Sequence, residues 1–287
     1  MNPEHKTVQC ISPKGLHKIA YLEWGDADND NVLVCVHGLT RCARDFDTFA
    51  EVLSKDYRVV CPDIAGRGDS DWLVDPMLYG IPQYVSDMVS LIARLDVKKV
   101  DWVGTSMGAL IGMALAAVPE TPIAKLVMND AGPVITKVSL ERIATYVGIA
   151  PSFPSIEAAV QYIRAVSASF GPHSDDQWRF LTEVVVRKQP DGTYRMHYDP
   201  RLAEPFKKAM PSGDLELWPF YDAIRCPVLV LRGALSDLLT AETCIEMANR
   251  GPRARTVEIP GVGHAPTLMH ADQIEPVRRF LASGVTP

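Results

Sequence analysis

The 287-residue chain has no long apolar run; nothing in it approaches the roughly 20 residues that a membrane-spanning helix requires. Its first ten residues are polar and lack an apolar signal core. Positive charge is not in excess either: 29 Lys and Arg stand against 35 Asp and Glu, a formal net charge of −6, which argues against nucleic acid as the principal partner. The six cysteines, at 10, 35, 42, 61, 226 and 244, never fall in a Cys-x-x-Cys pair, and three lie in or beside apolar stretches. They read as small core residues in a reducing compartment. No His/Cys/Asp/Glu group has the spacing of metal ligands, so neither metal nor cofactor is expected. These absences together predict a cytoplasmic protein without a membrane or nucleic-acid partner; a small-molecule substrate, and a monomer or homodimer, are expected.

What the chain does have is a 47% share of hydrophobic residues, enough for one large core and an accessory layer. Its most informative stretch is Gly104-Thr105-Ser106-Met107-Gly108, which joins an apolar strand ending at Val103 to the strong helix-forming run Ala109–Ala116. A turn this abrupt strains its central residue and leaves room only for small residues two positions either side. The Ser106 hydroxyl is thereby exposed above a helix N-terminus, where negative charge is favoured.

A serine hydroxyl needs a base before it attacks anything. Of the seven histidines, His264 alone sits in a glycine- and proline-bound loop, Pro260–Pro266, directly after a strand candidate at 254–259. His264 is therefore taken as the base. A carboxylate must then hold its tautomer, and Asp237 is the first choice because it follows the clear apolar strand at 226–233. Asp130, ending the strand at 124–129, is the competitor. The order Ser106, Asp237, His264 is that of a nucleophile–acid–base triad on an open α/β sheet.

With those residues in hand, the chain resembles the α/β-hydrolase fold family over nearly its whole length. His37-Gly38-Leu39-Thr40 is similar to the family's oxyanion loop, and Asp63-Ile64-Ala65-Gly66-Arg67-Gly68-Asp69-Ser70 to its Asp-x-x-Gly-x-Gly-x-Ser turn. The resemblance implies an oxyanion hole built from the backbone N–H groups of Leu39 and Met107. It implies a structural role for His37, and a second glycine-rich turn that packs beside the site without doing chemistry.

Strand–helix alternation over 31–130 predicts a mostly parallel, doubly wound sheet, preceded by a hairpin at 7–24. It breaks at 133–219, which predicts a mainly helical cap inserted into a core of 1–132 and 220–287. Helices are expected near 139–147, 155–168 and 175–188. Phe153 and Trp178 are candidate substrate contacts in that cap, although aromatics at helical spacing also build a cap's own core. Arg41 either meets a substrate carboxylate or pairs with Asp45 or Asp47. The expected function is hydrolysis of small to medium, largely apolar carboxylic esters through an acyl-enzyme. The alternatives are cleavage of an enol-lactone or of a carbon–carbon bond in aromatic-ring degradation, and a non-catalytic receptor or scaffold. Aspartate-nucleophile chemistry is disfavoured because Ser106 occupies that position.

Overall fold

The computed structural model describes residues 2–283. Its frame is an eight-stranded sheet. An entry hairpin, β1 (Glu4–Ser12) and β2 (Gly15–Trp24), leads into β3 (Val32–Val36), β4 (Arg58–Pro62), β5 (Val100–Thr105) and β6 (Ile123–Asn129), with helices α1 (Asp47–Leu53), α2 (Ile81–Arg94) and α3 (Met107–Ala116) between them. An insertion follows, holding β7 (Val134–Ile135), α4 (Lys137–Ala144), β8 (Ser152–Phe153), α5 (Ile156–Val166), α6 (Asp175–Glu183), β9 (Val186–Lys188), β10 (Tyr194–Met196), α7 (Ala203–Lys208), β11 (Leu215–Glu216) and α8 (Trp218–Ala223). The sheet resumes with β12 (Val228–Gly233), α9 (Ala241–Asn249), β13 (Arg255–Ile259) and α10 (Ala271–Ala282).

The strand order is β1-β2-β4-β3-β5-β6-β12-β13, parallel from β4 to β13 and antiparallel at the β1 and β2 edge. Alternation within the strands divides the core in two. Val32, Val34 and Val36 of β3 join Trp102, Leu126, Met128 and Val230 on the face covered by α2 and α3. Leu33 and Cys35 join Val103, Val127, Leu229 and Leu231 on the other face, against Phe49 of α1 and Val277 and Phe280 of α10. Burial on both faces is why these strands read as near-continuous apolar runs. The chain steps from β3 outward to β4 and then returns to β5 on the opposite side of β3. Such a reversal opens a crevice at the carboxyl ends of the two central strands, where His37 and Ser106 follow β3 and β5.

The helix expected near 175–188 is shorter than the sequence suggests. It stops at Glu183, and Val186–Lys188 pairs instead with Tyr194–Met196 and through it with Ser152–Phe153. β-Branched Val184, Val185 and Val186, each losing side-chain freedom in a helix, favour that exit.

Candidate active site

The turn at Ser106 has the strained geometry its sequence demands. Ser106 adopts φ 54° and ψ −113°, in the region that L-residues avoid. An added Cβ on Gly104 would lie 2.2 Å from the Gly108 carbonyl carbon, and one on Gly108 would lie 2.0 Å from the Val36 carbonyl oxygen. Glycine is thus required at both positions for the strand, the turn and β3 to approach one another.

Three side chains meet there in series. The Ser106 hydroxyl lies 2.9 Å from His264 Nε2, and His264 Nδ1 lies 2.7 Å from Asp130 Oδ2. Asp130 is wholly buried, and its carboxylate also accepts from the Gly233 N–H (2.8 Å) and the Ser236 hydroxyl (2.7 Å). A carboxylate fixed on both oxygens holds the imidazole with Nδ1 protonated, leaving Nε2 to accept the serine proton.

Asp237 is the correction. It does not reach His264; its exposed carboxylate takes a two-pronged ion pair from Arg142 of α4, at 2.5 and 2.9 Å. The reason lies in reach. Asp130 directly follows the last residue of β6, whereas Ala234-Leu235-Ser236 turns away after β12, so that the Ser236 hydroxyl arrives at Asp130 and Asp237 points outward. Both residues follow apolar strands, so the sequence itself did not separate them.

His37 and Leu39 form the other wall. Burial drives the His37 pKa down to about 3, so the ring is neutral. Its Nε2 accepts from the Ile64 N–H (3.0 Å), which leaves the proton on Nδ1 to donate to the Gly38 carbonyl (2.7 Å). That carbonyl belongs to the same planar peptide unit as the Leu39 N–H. The bond therefore fixes the direction of the N–H and polarises it.

Two cavities converge on Ser106 and Leu39. One, of about 140 Å3, is walled by Arg41, Tyr146, Tyr162, Phe170 and His264. The other, of about 600 Å3, is largely apolar and is walled by Met107, Tyr84, Ile135, Leu140 and Phe206, together with Arg67. Neither cavity is lined by Phe153 or Trp178, a second correction. Phe153 packs in a separate small core with Ala159, Ile163 and Val186, and Trp178 is buried against the His173 ring, 5.1 Å between centroids. Both are buried within the insertion itself. Arg41 lines the smaller cavity but is held by Asp45 (2.6 and 2.7 Å) and the Leu181 carbonyl (3.1 Å).

The insertion is stitched to the histidine loop. The Ser169 hydroxyl donates to the His264 carbonyl (2.6 Å), its own carbonyl accepts from the Gly263 N–H (2.6 Å), and His173 Nε2 lies 2.9 Å from Thr267 Oγ1. From below, the Asn129 amide donates to the Pro266 carbonyl (2.8 Å) and to Thr105 Oγ1 (3.0 Å). Ser169→Ala removes one of these holds on the backbone of His264. It is expected to lower kcat by about three- to tenfold, the scale of one net hydrogen bond, with thermal melting shifted little; an unchanged kcat would make the stitch passive.

Among the described residues, Cys10, His17 and Asp87 form a buried group of metal-ligand types, lying on β1, β2 and α2 at the far edge of the sheet from Ser106. Its atoms are engaged in part, with Asp87 Oδ2 left without a hydrogen-bond partner. His17 Nε2 and the Gln83 amide both bond Asp87 Oδ1 (3.0 and 2.7 Å), and the unpartnered His17 Nδ1 is the ring atom not used in that pair. No helix among the described residues is long and apolar enough to cross a membrane.

The model of the alpha/beta hydrolase family matches residues 33–277. A 3-hydroxybutyrate-oligomer hydrolase of Cupriavidus necator is 53% identical to this chain, over 99% of each. Among solved structures, an alpha/beta hydrolase from Novosphingobium aromaticivorans superposes with a TM-score of 0.87 at 37% identity, covering 98% of both chains. A putative hydrolase from Rickettsia typhi superposes at 0.90 with 32% identity, covering 98% of this chain and 99% of its own.

Proposed function

Because this chain belongs to the alpha/beta hydrolase family, we propose that it is a serine hydrolase cleaving short carboxylic esters of hydroxy acids, of the 3-hydroxybutyrate kind, through an acyl-enzyme. The observation that carries the mechanism is the continuous series Ser106 Oγ, His264, Asp130 at the meeting point of two cavities. The substrate class rests on the 53% identity over 99% of both chains to an enzyme of that name.

In this reading His264 Nε2 takes the Ser106 proton as Oγ attacks the ester carbonyl. Asp130 stabilises the imidazolium that results. The N–H groups of Leu39 and Met107 receive the oxyanion, where preorganised donors count most. His264 then protonates the departing alkoxide, and afterwards activates the water that releases the acyl group. An ester has two sides, and the site has two cavities to receive them. The smaller suits one hydroxyacyl unit; the larger, apolar one takes the rest of a methyl-bearing chain. Residues 133–219 act as a cap, supplying Tyr146, Tyr162 and Phe170 to one cavity and Ile135, Leu140 and Phe206 to the other. The reaction needs no cofactor, and the protein works in the cytoplasm.

The test is to incubate the protein with dimers and trimers of 3-hydroxybutyrate and follow monomer release, while mapping a fluorophosphonate adduct by mass spectrometry. Monomer release with the adduct on Ser106 is expected. Turnover of simple p-nitrophenyl esters without turnover of the oligomers would remove the substrate class, and the absence of an adduct would remove the serine mechanism.

A further inference from the structure

Arg67 lies in the glycine-rich turn after β4 and is completely buried. Its Nε donates to the Leu39 carbonyl (2.8 Å), and its Nη1 to the Ala65 carbonyl (2.7 Å) and the Tyr84 hydroxyl (2.8 Å). Nη2 reaches the Met107 sulfur at 3.4 Å. The guanidinium also lies 5.1 Å from the Tyr84 ring centroid and 5.9 Å from that of Tyr79. Each of these partners is neutral. Taking a cation out of water without a carboxylate is costly, and the usual way of offsetting that cost is missing here.

Two of the contacts are to the Leu39 carbonyl and to the side chain of Met107, which follows Ser106; both residues line the larger cavity with Ser106. His37 holds the Gly38 carbonyl and Arg67 holds the Leu39 carbonyl, so the peptide units on both sides of Leu39 are pinned. We propose that Arg67 is a positioning residue of the oxyanion site: its planar fork holds the Leu39 peptide and the Met107 side chain, and its charge, unpaired with any carboxylate, adds positive potential to the cavity that Ser106, Leu39 and Met107 line. A flat, always-charged fork suits this task, and a lysine could not make the same contacts at once. Preorganised positive potential in a dry site acts on the transition state more than on a neutral ester. The proposal rests on the serine-hydrolase reading. It gives the second glycine-rich turn a part in the chemistry that the sequence did not assign to it.

The experiment compares the parent protein with Arg67→Met and Arg67→Lys, using p-nitrophenyl butyrate as substrate. Two inhibitors of one skeleton are added: a trifluoromethyl ketone, which adds Ser106 to form an anionic hemiketal, and the matching carbinol, which cannot. Fluorophosphonate titration counts competent sites in each preparation. For Arg67→Met, kcat per competent site should fall about ten- to hundredfold, less than the loss of a direct donor, with KM within twofold. The ketone Ki should rise in step with the fall in kcat/KM, while carbinol binding holds. Arg67→Lys should fall between. A merely structural Arg67 would lower the number of competent sites and leave kcat per site and ketone Ki at parental values; that result overturns the proposal. If Arg67→Met fails to fold, parental kcat and Ki in Arg67→Lys overturn it equally. Failure of the parent to take the label at Ser106 identifies the serine reading as the fault, and the positioning role falls with it.

Discussion

Asp130→Asn is expected to lower kcat on ester substrates by about three to four orders of magnitude, because the amide cannot hold His264 with Nδ1 protonated or stabilise the imidazolium. The substitution is nearly isosteric, yet it places a donor or a weaker acceptor where the carboxylate now accepts from Gly233, Ser236 and His264. Asp237→Asn, by contrast, loses only a half-exposed pair with Arg142, whose worth is about 0–1 kcal/mol. Its kcat is expected to stay within about fivefold of the parent on that scale. Steady-state kinetics on both variants, with circular dichroism to check folding, decides the matter. A large loss at Asp237 and a small one at Asp130 would assign the acid the other way.

Gly108→Ala is expected to be the most damaging single methyl in the chain. Its Cβ would stand 2.0 Å from the Val36 oxygen and 2.6 Å from the Val36 carbonyl carbon. Both are backbone atoms of β3, which is paired with β5 and so cannot yield as a flexible side chain would. Overpacking costs typically about 1–3 kcal/mol, and contact with fixed backbone belongs at the top of that range or beyond it. At 3 kcal/mol the melting temperature should fall by about 6–12 °C. Gly104→Ala, whose Cβ meets Gly108 and Ala109 backbone at 2.2–2.4 Å, should behave alike. Activity should collapse in whatever folds, because the strained φ of Ser106 depends on the same close approach. A melting temperature within 2 °C of the parent would show that the turn relaxes, and that the glycines are dispensable.

That Ser106 and His264 meet was legible in the sequence because each is marked by residues with a backbone job: glycines that clear a tight turn, and glycine and proline that fix a loop. The alternating runs of β3, β5, β6 and β12 were legible for the same local reason, since each shows burial on both faces. The acid was not. Asp130 and Asp237 both follow apolar strands, and what separates them is how a turn of three residues spends its length, which is decided by contacts across the sheet. The aromatics of the insertion were illegible in a different way. Phe153 and Tyr162 lie 5.2 Å apart ring to ring, yet only Tyr162 lines a cavity. The pattern of apolar residues reports which side chains turn inward from solvent, not whether they meet packed side chains or an empty space. Arg67 gave no signal as a charge, for its use depends on Leu39 and Met107, 28 and 40 residues away.

The bonds joining Ser169 and His173 to the loop at 263–267 bear on how such a chain can be recombined. The turn at 66–68 is tied in the same manner to His197 and Asp199, through Gly68 N–H to the His197 carbonyl (3.1 Å) and Asp199 N–H to the Gly66 carbonyl (2.8 Å). The insertion is therefore no detachable module. A chimera that grafts residues 133–219 from a relative would carry half of each seam and leave the other half behind, with Gly263 still shaped to the close approach of Ser169. Exchange of substrate preference by transplantation should succeed only when the donor's histidine loop and its second glycine-rich turn travel with the graft. Changes of preference within a lineage would accumulate first at cavity-facing positions such as Phe206 and Tyr162, which can vary without opening either seam.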